Sequence, residues 1–347
     1  MPRKKVAVAM SGGVDSSLAA ALVKDAGYEV FGIHLELWAD PAYRDNLTRL
    51  EQVCRSLDIP LHELNLESEF HDLVVSYFCR EYSRGRTPNP CPVCNKLIKF
   101  GRLLLSAREM GADYLASGHY ARVEASLEGY RLLKAAEAAK DQSYFLYSLG
   151  QSELPHLLFP LGSRGKIEVR KLAEERGLSS AGQGESHDLC FIPDGDYREF
   201  LAGYLPAEPG DITNINGKTL GRHRGLAHYT VGQRQGLGLS SAGRRYVLRL
   251  DTQNNRLVVG SQSQLLSRHL IARKLSWVAG RPPENLAGIT ARIRYRSPEA
   301  PIALSLNGET AEVEFYEPQR AAAPGQAIVF YQGDTVLGGG IIEESTE

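Results

Sequence analysis

Val6-Ala7-Val8-Ala9-Met10-Ser11-Gly12-Gly13-Val14-Asp15-Ser16-Ser17 is the stretch that decides the fold of this chain. Val6 to Met10 form a short apolar strand, and Ser16 to Ala26 form a helix that Gly27 is placed to end. The glycines between them let the backbone come close to a phosphate. The start of the helix adds unpaired N–H groups and the positive end of its dipole. A kinase-type loop would carry Gly-Lys-Ser/Thr at this point to reach the terminal phosphates, and no lysine stands here. Asp15 reads either as a cap of the helix or as a carboxylate serving Mg²⁺ and the reacting groups.

Working outward, strands alternate with helices. Tyr28 to Leu37 and Leu61 to Leu66 read as strands, and Asn46 to Leu57 and Glu67 to Tyr82 as helices. A further helix spans Cys94 to Met110, with Leu97, Phe100, Leu104 and Ala107 on one face and Gly111 as its cap. Asp113 to Ala116 is a short strand that ends in Ser117-Gly118-His119-Tyr120. The alternation predicts an α/β domain with a doubly wound parallel sheet. Ser11, Leu35 and Gly118 then fall at carboxyl ends of strands, where such sheets bind ligands. After Phe200 the texture turns Gly-rich and basic. From Leu270 onward, short β-like runs separated by Asn307-Gly308, Pro324-Gly325 and Gly333-Asp334 predict a small barrel. The domains expected are 1–200, 201–265 and 266–347.

The chain has 347 residues, 43% hydrophobic and 23% charged, as in soluble globular proteins. No apolar run is long enough to span a membrane, and the basic N-terminus leads into no signal peptide. With five cysteines there is no secreted disulfide framework, which suits a cytoplasmic protein. The net charge is −1, yet the basic residues cluster. Arg80 to Arg102 holds six basic residues against Glu81, and Lys218 to Arg256 holds eight against Asp251. Arg292, Arg294 and Arg296 alternate along one expected strand. Local basic surface of this kind points to nucleic acid.

Cys91-Pro92-Val93-Cys94 follows Gly85-Arg86-Thr87-Pro88-Asn89-Pro90. The prolines are expected to keep that approach non-helical, so that Cys94 starts the helix. A helix N-terminus flanked by Lys96 and Lys99 would favour thiolate, either as nucleophile or as metal ligand. Cys190 is distant in sequence, and Gly177, Gly182 and Gly184 upstream suggest a loop that carries it toward Cys94. A single Cys-x-x-Cys fits a zinc half-site, a redox dithiol or part of an iron–sulfur site. Cys54 and Cys79 read as core.

The loop without lysine resembles that of ATP pyrophosphatases, which split ATP between its α- and β-phosphates. Further stretches extend the likeness: Gly85 to Pro90, Cys94-Asn95-Lys96, Gly118-His119-Tyr120, Lys140-Asp141-Gln142-Ser143-Tyr144-Phe145-Leu146, Cys190-Phe191-Ile192, Pro209-Gly210, Gly232-Gln233-Arg234, Pro324-Gly325-Gln326 and Leu337 to Ile342. Taken in this order, they resemble the tRNA-specific 2-thiouridylase family over nearly the whole chain. The resemblance implies an ATP-pyrophosphatase domain, a small central domain and a C-terminal β-barrel. It implies ATP-dependent thiolation of C2 of the wobble uridine in tRNAs for Lys, Glu and Gln, through an adenylated uridine. The match at Cys190 would carry a persulfide, and the match at Cys94 would be the nucleophilic partner that closes a disulfide with it. Ala9, Met10, Ser11, Gly12, Gly13, Val14, Asp15, Ser16, Leu35 and Gly118 match the nucleotide site. Asn89, Pro90 and Cys91 match the segment that faces the target base. His119, Lys140, Asp141, Gln142, Arg294, Tyr295 and Gln326 match tRNA-contacting positions. ATP with Mg²⁺, tRNA and a sulfur donor (a persulfide carrier protein or sulfide) are the implied partners.

Two departures stand out. Many members of that family have Asp where this chain has Cys91, so Cys91, Cys94 and Cys190 together suggest an alternative in which a 4Fe–4S cluster carries the sulfur. The segment Leu37-Trp38-Ala39-Asp40-Pro41 is also shorter than usual. Two rival functions keep part of these features: an ATP-dependent synthetase acting on a small molecule, and an RNA-binding module without catalysis.

Overall fold

The computed structural model describes residues 3–38, 43–178, 189–192, 195–239 and 244–346. Gly182, Gly184, Ala39, Asp40 and Pro41, singled out above, lie outside the described residues. In chain order the first elements are β1 (Lys5–Ala9), α1 (Val14–Asp25), β2 (Glu29–Glu36), α2 (Tyr43–Ser56) and β3 (Leu61–Asn65). Next come α3 (Glu67–Phe70), a π-helical turn at His71–Val75 and α4 (Ser76–Ser83). A second helical run joins α5 (Pro90–Cys94), a π-helical stretch at Asn95–Arg102 and α6 (Leu103–Glu109). The domain continues with β4 (Tyr114–Ala116), β5 (Arg122–Ser126), β6 (Gly129–Leu133), β7 (Leu157–Leu158), α7 (Lys166–Glu175) and α8 (Tyr197–Ala202).

β3-β2-β1-β4-β7 form one wholly parallel sheet. Val6, Ala7 and Val8 of β1 are fully buried because helices cover both faces of the sheet. On one side, α1 packs Leu18 and Ala19 against Val169 of α7, and Ala21 against Ala173. The doubly wound α/β reading therefore holds.

The helix expected from Cys94 begins earlier, at Pro90. Asn89 caps it, its side-chain oxygen accepting the Cys91 N–H at 3.1 Å. Pro90 and Pro92 stand in the first turn, where a missing N–H costs nothing, so they initiate the helix rather than delay it.

A small sheet follows, ordered β10-β11-β8-β9, from β8 (Gly210–Thr213), β9 (Thr219–His223), β10 (Tyr246–Asp251) and β11 (Arg256–Gly260). The last six strands are β12 (Leu266–Trp277), β13 (Thr290–Arg292), β14 (Ala300–Asn307), β15 (Thr310–Arg320), β16 (Ala327–Gln332) and β17 (Thr335–Thr346). They run in the order β12-β15-β14-β13-β16-β17, and pairing of β12 with β17 closes the expected barrel. The sequence reading missed the β5–β6 hairpin. It leaves the first domain and adds β6 to the barrel strand β17, pairing Leu132 with Val336.

Arg292 and Arg294 do not form the exposed basic face that their alternation suggested. Arg292 turns into the seam with the first domain and bonds Asp141 at 3.1 Å and Glu299 at 2.8 Å. Asp141 is buried and also accepts from Ala135 N, Ser143 N and Ser143 Oγ. Arg294 donates to the carbonyls of Val231 and Ala321, tying the central domain to the barrel. Burial lowers its pKa, as expected for a guanidinium withdrawn from water. Arg292→Met would leave the Asp141 carboxylate buried without its cation. Denaturant unfolding should then show a loss of about 3 to 5 kcal/mol. A loss below about 1 kcal/mol would mean that the pair contributes little to the seam.

Candidate active site

The phosphate loop is braced by its own serines. Ser16 Oγ accepts the Ser11 N–H at 3.2 Å and donates to Gly13 O at 3.0 Å, and Ser17 Oγ donates to the same carbonyl at 3.1 Å. Gly13 occupies the N-cap of α1, and no side chain caps that helix. Its first amides are thus left to an anion, the arrangement suited to phosphate. Met10 N bonds Ile33 O at 2.8 Å, which ties the loop to β2 just before half-buried Leu35.

Gly118 follows β4 and lies on this helix start. A Cβ there would stand 2.9 Å from the carbonyl carbon of Asp15 and from Ser16 N, so only glycine lets the turn sit this close. His119 comes next. Its Nδ1 lies 2.9 Å from Ser117 Oγ, and its ring meets Phe100 and Phe159. Burial among these groups, aided by the charge of Lys99, pushes the imidazole well below its ordinary pKa.

Lys99 acts on three groups at once: His119, Cys94 and Cys190. Cys94 is buried in an apolar cluster with Phe78, Ile98 and Phe191. Burial pushes its thiol up to about 12, with Lys99 pulling down and the nearby Cys190 and Cys91 adding to the rise. This corrects the thiolate expected at a helix N-terminus. Cys94 is the last residue of α5, not its first, and Lys96 turns away to Glu153 at 2.9 Å. Burial also raises the Cys190 thiol, although the residue as a whole is exposed; Lys99 and the amides of Cys190 and Phe191 oppose that rise. The five cysteines are free thiols, with Cys54 and Cys79 buried as expected.

The iron–sulfur alternative does not fit this arrangement. Among the described residues, no three His, Cys, Asp or Glu side chains converge to hold a metal ion. Cys94 packs into the apolar cluster, while Cys91 stays half-buried in the first turn of α5.

Other sequence-predicted positions buttress the site. Gln326, from the barrel, donates to Thr87 O at 2.8 Å, and Thr87 N donates to Pro324 O at 2.8 Å. These bonds fix the strap that leads to Asn89, Pro90 and Cys91. Arg86 in the same strap pairs with Glu81 and, across to the barrel, with Glu343, each at 2.8 Å. Gln142 accepts the Tyr120 N–H at 3.0 Å, beside half-buried Lys140. The Tyr295 ring meets that of Phe145 at 4.3 Å, tilted by 36°, and Phe145 O accepts from the side chain of Asn95, the neighbour of Cys94. Asp141 holds Arg292 and has its carboxylate wholly buried.

One residue escaped the sequence reading. Lys166 of α7 donates to both carboxylate oxygens of Asp15 at 2.7 Å, and Tyr120 OH donates to the same group at 3.0 Å.

Family comparisons agree with this architecture. The tRNA methyl transferase HUP domain matches residues 4–194, the tRNA methyl transferase PRC-barrel domain 198–261, and the aminomethyltransferase beta-barrel domain 267–342. The tRNA-specific 2-thiouridylase MnmA of Geobacillus thermodenitrificans (strain NG80-2) is 45% identical over 351 residues, covering 98% of this chain and 95% of that protein. The protein of the same name from Moorella thermoacetica is 46% identical over 351 residues, covering 97% and 98%. The U34-tRNA thiolase NcsA of Methanococcus maripaludis, solved with its [4Fe-4S] cluster, aligns at 22% identity and a TM-score of 0.37 over 60% of this chain and 69% of that one, a likeness too slight to bear on the cysteines here. With full-length relatives at this identity and all three domains matched in order, the chain belongs to the tRNA-specific 2-thiouridylase family.

Proposed function

We propose that this protein replaces the C2 oxygen of the wobble uridine of tRNAs for Lys, Glu and Gln with sulfur, at the expense of ATP. The observation that carries the reading is the Gly118-His119 turn. Its glycine touches the phosphate loop, and its histidine shares the charge of Lys99 with Cys94 and Cys190. One crevice at the ends of β1 and β4 would thus offer a phosphate site and two thiols.

ATP phosphates would rest on Ser11, Gly12, Gly13 and the first turn of α1, with the adenosine toward Ala9, Met10 and Leu35. Mg²⁺ suits a hard carboxylate oxygen together with phosphate oxygens, and Asp15 is the carboxylate at the loop that could hold it. Uridine O2 attacks the α-phosphorus, and pyrophosphate departs. A carbonyl oxygen leaves poorly, but as part of AMP it leaves well. The terminal sulfur of a Cys190 persulfide then attacks C2, and AMP departs with the former O2. Cys94 thiolate attacks the Cys190 sulfur, closes a disulfide with it and frees 2-thiouridine; a reductant restores both thiols. The target base must leave its stack to reach this crevice. Asn89, Pro90, Cys91, His119, Lys140 and Gln142 would line its approach, with buried Asp141 bracing them from behind, while Arg294, Tyr295 and Gln326 would hold the barrel side.

tRNA would lie along the central domain, where Lys218, Arg224, Arg234, Arg244, Arg249 and Arg256 are exposed. The sulfur donor is a persulfide carrier protein, which passes its outer sulfur to the Cys190 thiolate and keeps its own thiol, or sulfide, which attacks the Cys94–Cys190 disulfide and leaves a persulfide on Cys190 and a thiolate on Cys94. Among the described residues no helix is long and apolar enough to cross a membrane, and we place the protein in the cytoplasm.

Incubation with tRNA, ATP, Mg²⁺ and a persulfide-charged carrier protein, followed by nucleoside analysis, should yield 2-thiouridine; unmodified tRNA with ATP intact would defeat the reading. Cys190→Ser should abolish the product while tRNA binding stays near normal. Lys99→Met removes the cation that favours thiolate at both cysteines. The pH profile of thiol alkylation should therefore move to higher pH; an unmoved profile contradicts this role for Lys99. The double change Arg234→Glu and Arg244→Glu should weaken tRNA binding and reduce the salt slope by about two if each arginine meets one phosphate.

A further inference from the structure

The phosphate loop has no lysine of its own, yet a lysine reaches it from 151 residues away. Lys166 is the first residue of α7, where the positive end of the helix dipole disfavours a cation. Two carboxylates offset that placement. Asp15 binds the ammonium through both oxygens, and Glu137 accepts the Lys166 backbone N–H at 2.5 Å. The ammonium also lies 5.6 Å from the centre of the Tyr120 ring. The side chains of Lys166 and Asp15 are 18% and 33% exposed, so the pair is half-buried and still reached by solvent. α7 is rigidly mounted for this purpose, since its apolar face packs on α1, the helix that bears Asp15. A charged pair fixed at the entrance of an uncapped helix start is placed to exchange one partner for an anionic ligand.

We propose that Lys166 is the phosphate lysine of this loop, supplied from α7. When ATP binds, its ammonium turns from Asp15 to the β- and γ-phosphate oxygens. In the adenylation step a bond forms between uridine O2 and the α-phosphorus. The bond from that phosphorus to the oxygen bridging toward the β-phosphorus breaks, and its electron pair leaves with pyrophosphate. Lys166 keeps its protons and neutralises the charge that collects there. The assignment rests on the α–β cleavage of ATP proposed above.

Calorimetric titration of the full-length protein without tRNA tests it, using adenosine 5′-(α,β-methylene)triphosphate and AMP as probes. Lys166→Met should weaken the triphosphate analogue roughly tenfold or more, the scale of a lost hydrogen bond to a charged group. AMP affinity should change less than about twofold, because AMP lacks the phosphates concerned. Lys166→Arg should recover most of the triphosphate affinity. Equal losses for both ligands in Lys166→Met and in Lys166→Gln would make Lys166 a brace of the loop and overturn the proposal, as would no loss for either. A wild-type protein that makes no 2-thiouridine yet shows the selective loss would sink the functional reading and leave the lysine assignment standing. A wild-type protein that thiolates tRNA while its Lys166 variants show equal losses would do the reverse.

Discussion

The backbone contact between Gly118 and the start of α1 is the constraint on which the rest depends. It is made within van der Waals range of Asp15 and Ser16, and a single added methyl group would break it. The contact seats the end of β4 beside the phosphate loop at the end of β1, as parallel pairing of the two strands requires. From that seat, His119 faces Phe100 and Phe159, and Tyr120 reaches Asp15. The helix that carries Cys94 packs its π-helical stretch and α6 beneath the same turn, with Phe100 and Leu103 in the main core. The phosphate loop and the helical run that carries Cys94 are neighbours because these two strand ends cannot be separated.

The barrel is more than an appended domain. It takes β6 from the first domain as a neighbour for β17, anchors Asp141 through Arg292, and holds the strap before Cys91 through Gln326 and Arg86. Gly325 reinforces this anchor, since a Cβ there would lie 3.0 Å from Arg86 Cβ and Thr87 N. A ligand that displaces the barrel would therefore pull on the segment that leads to α5. The central domain contributes differently: its exposed arginines stay in water, while Arg294 of the barrel domain binds it through the Val231 carbonyl.

The strand–loop–helix entry, the parallel sheet and the closed barrel were legible because periodicity and glycine placement are local signals. The start of the Cys94 helix was misread because proline breaks a helix interior yet opens a first turn, and only the cap at Asn89 separates the two cases. That error carried over to the thiol, whose pKa is ruled by burial against Phe78, Ile98 and Phe191 rather than by a dipole. The arginines expected to alternate along one strand do not share one: β13 ends at Arg292, Arg294 and Arg296 lie beyond it, and alternation does not report which face another domain covers. Lys166 left no local trace, since its meaning comes from the packing of α7 on α1. The β5–β6 hairpin was overlooked although Leu127-Glu128-Gly129 supplies a turn signal between two short alternating runs.

In the proposed reaction the uridine oxygen is activated as an AMP ester before sulfur arrives. Isotope tracing reads this directly. With tRNA carrying ¹⁸O at C2 of the wobble uridine, the account predicts that the label appears in the phosphate of AMP, one label for each thiolated base. Label found in pyrophosphate or released to water, with thiolation proceeding, would contradict it.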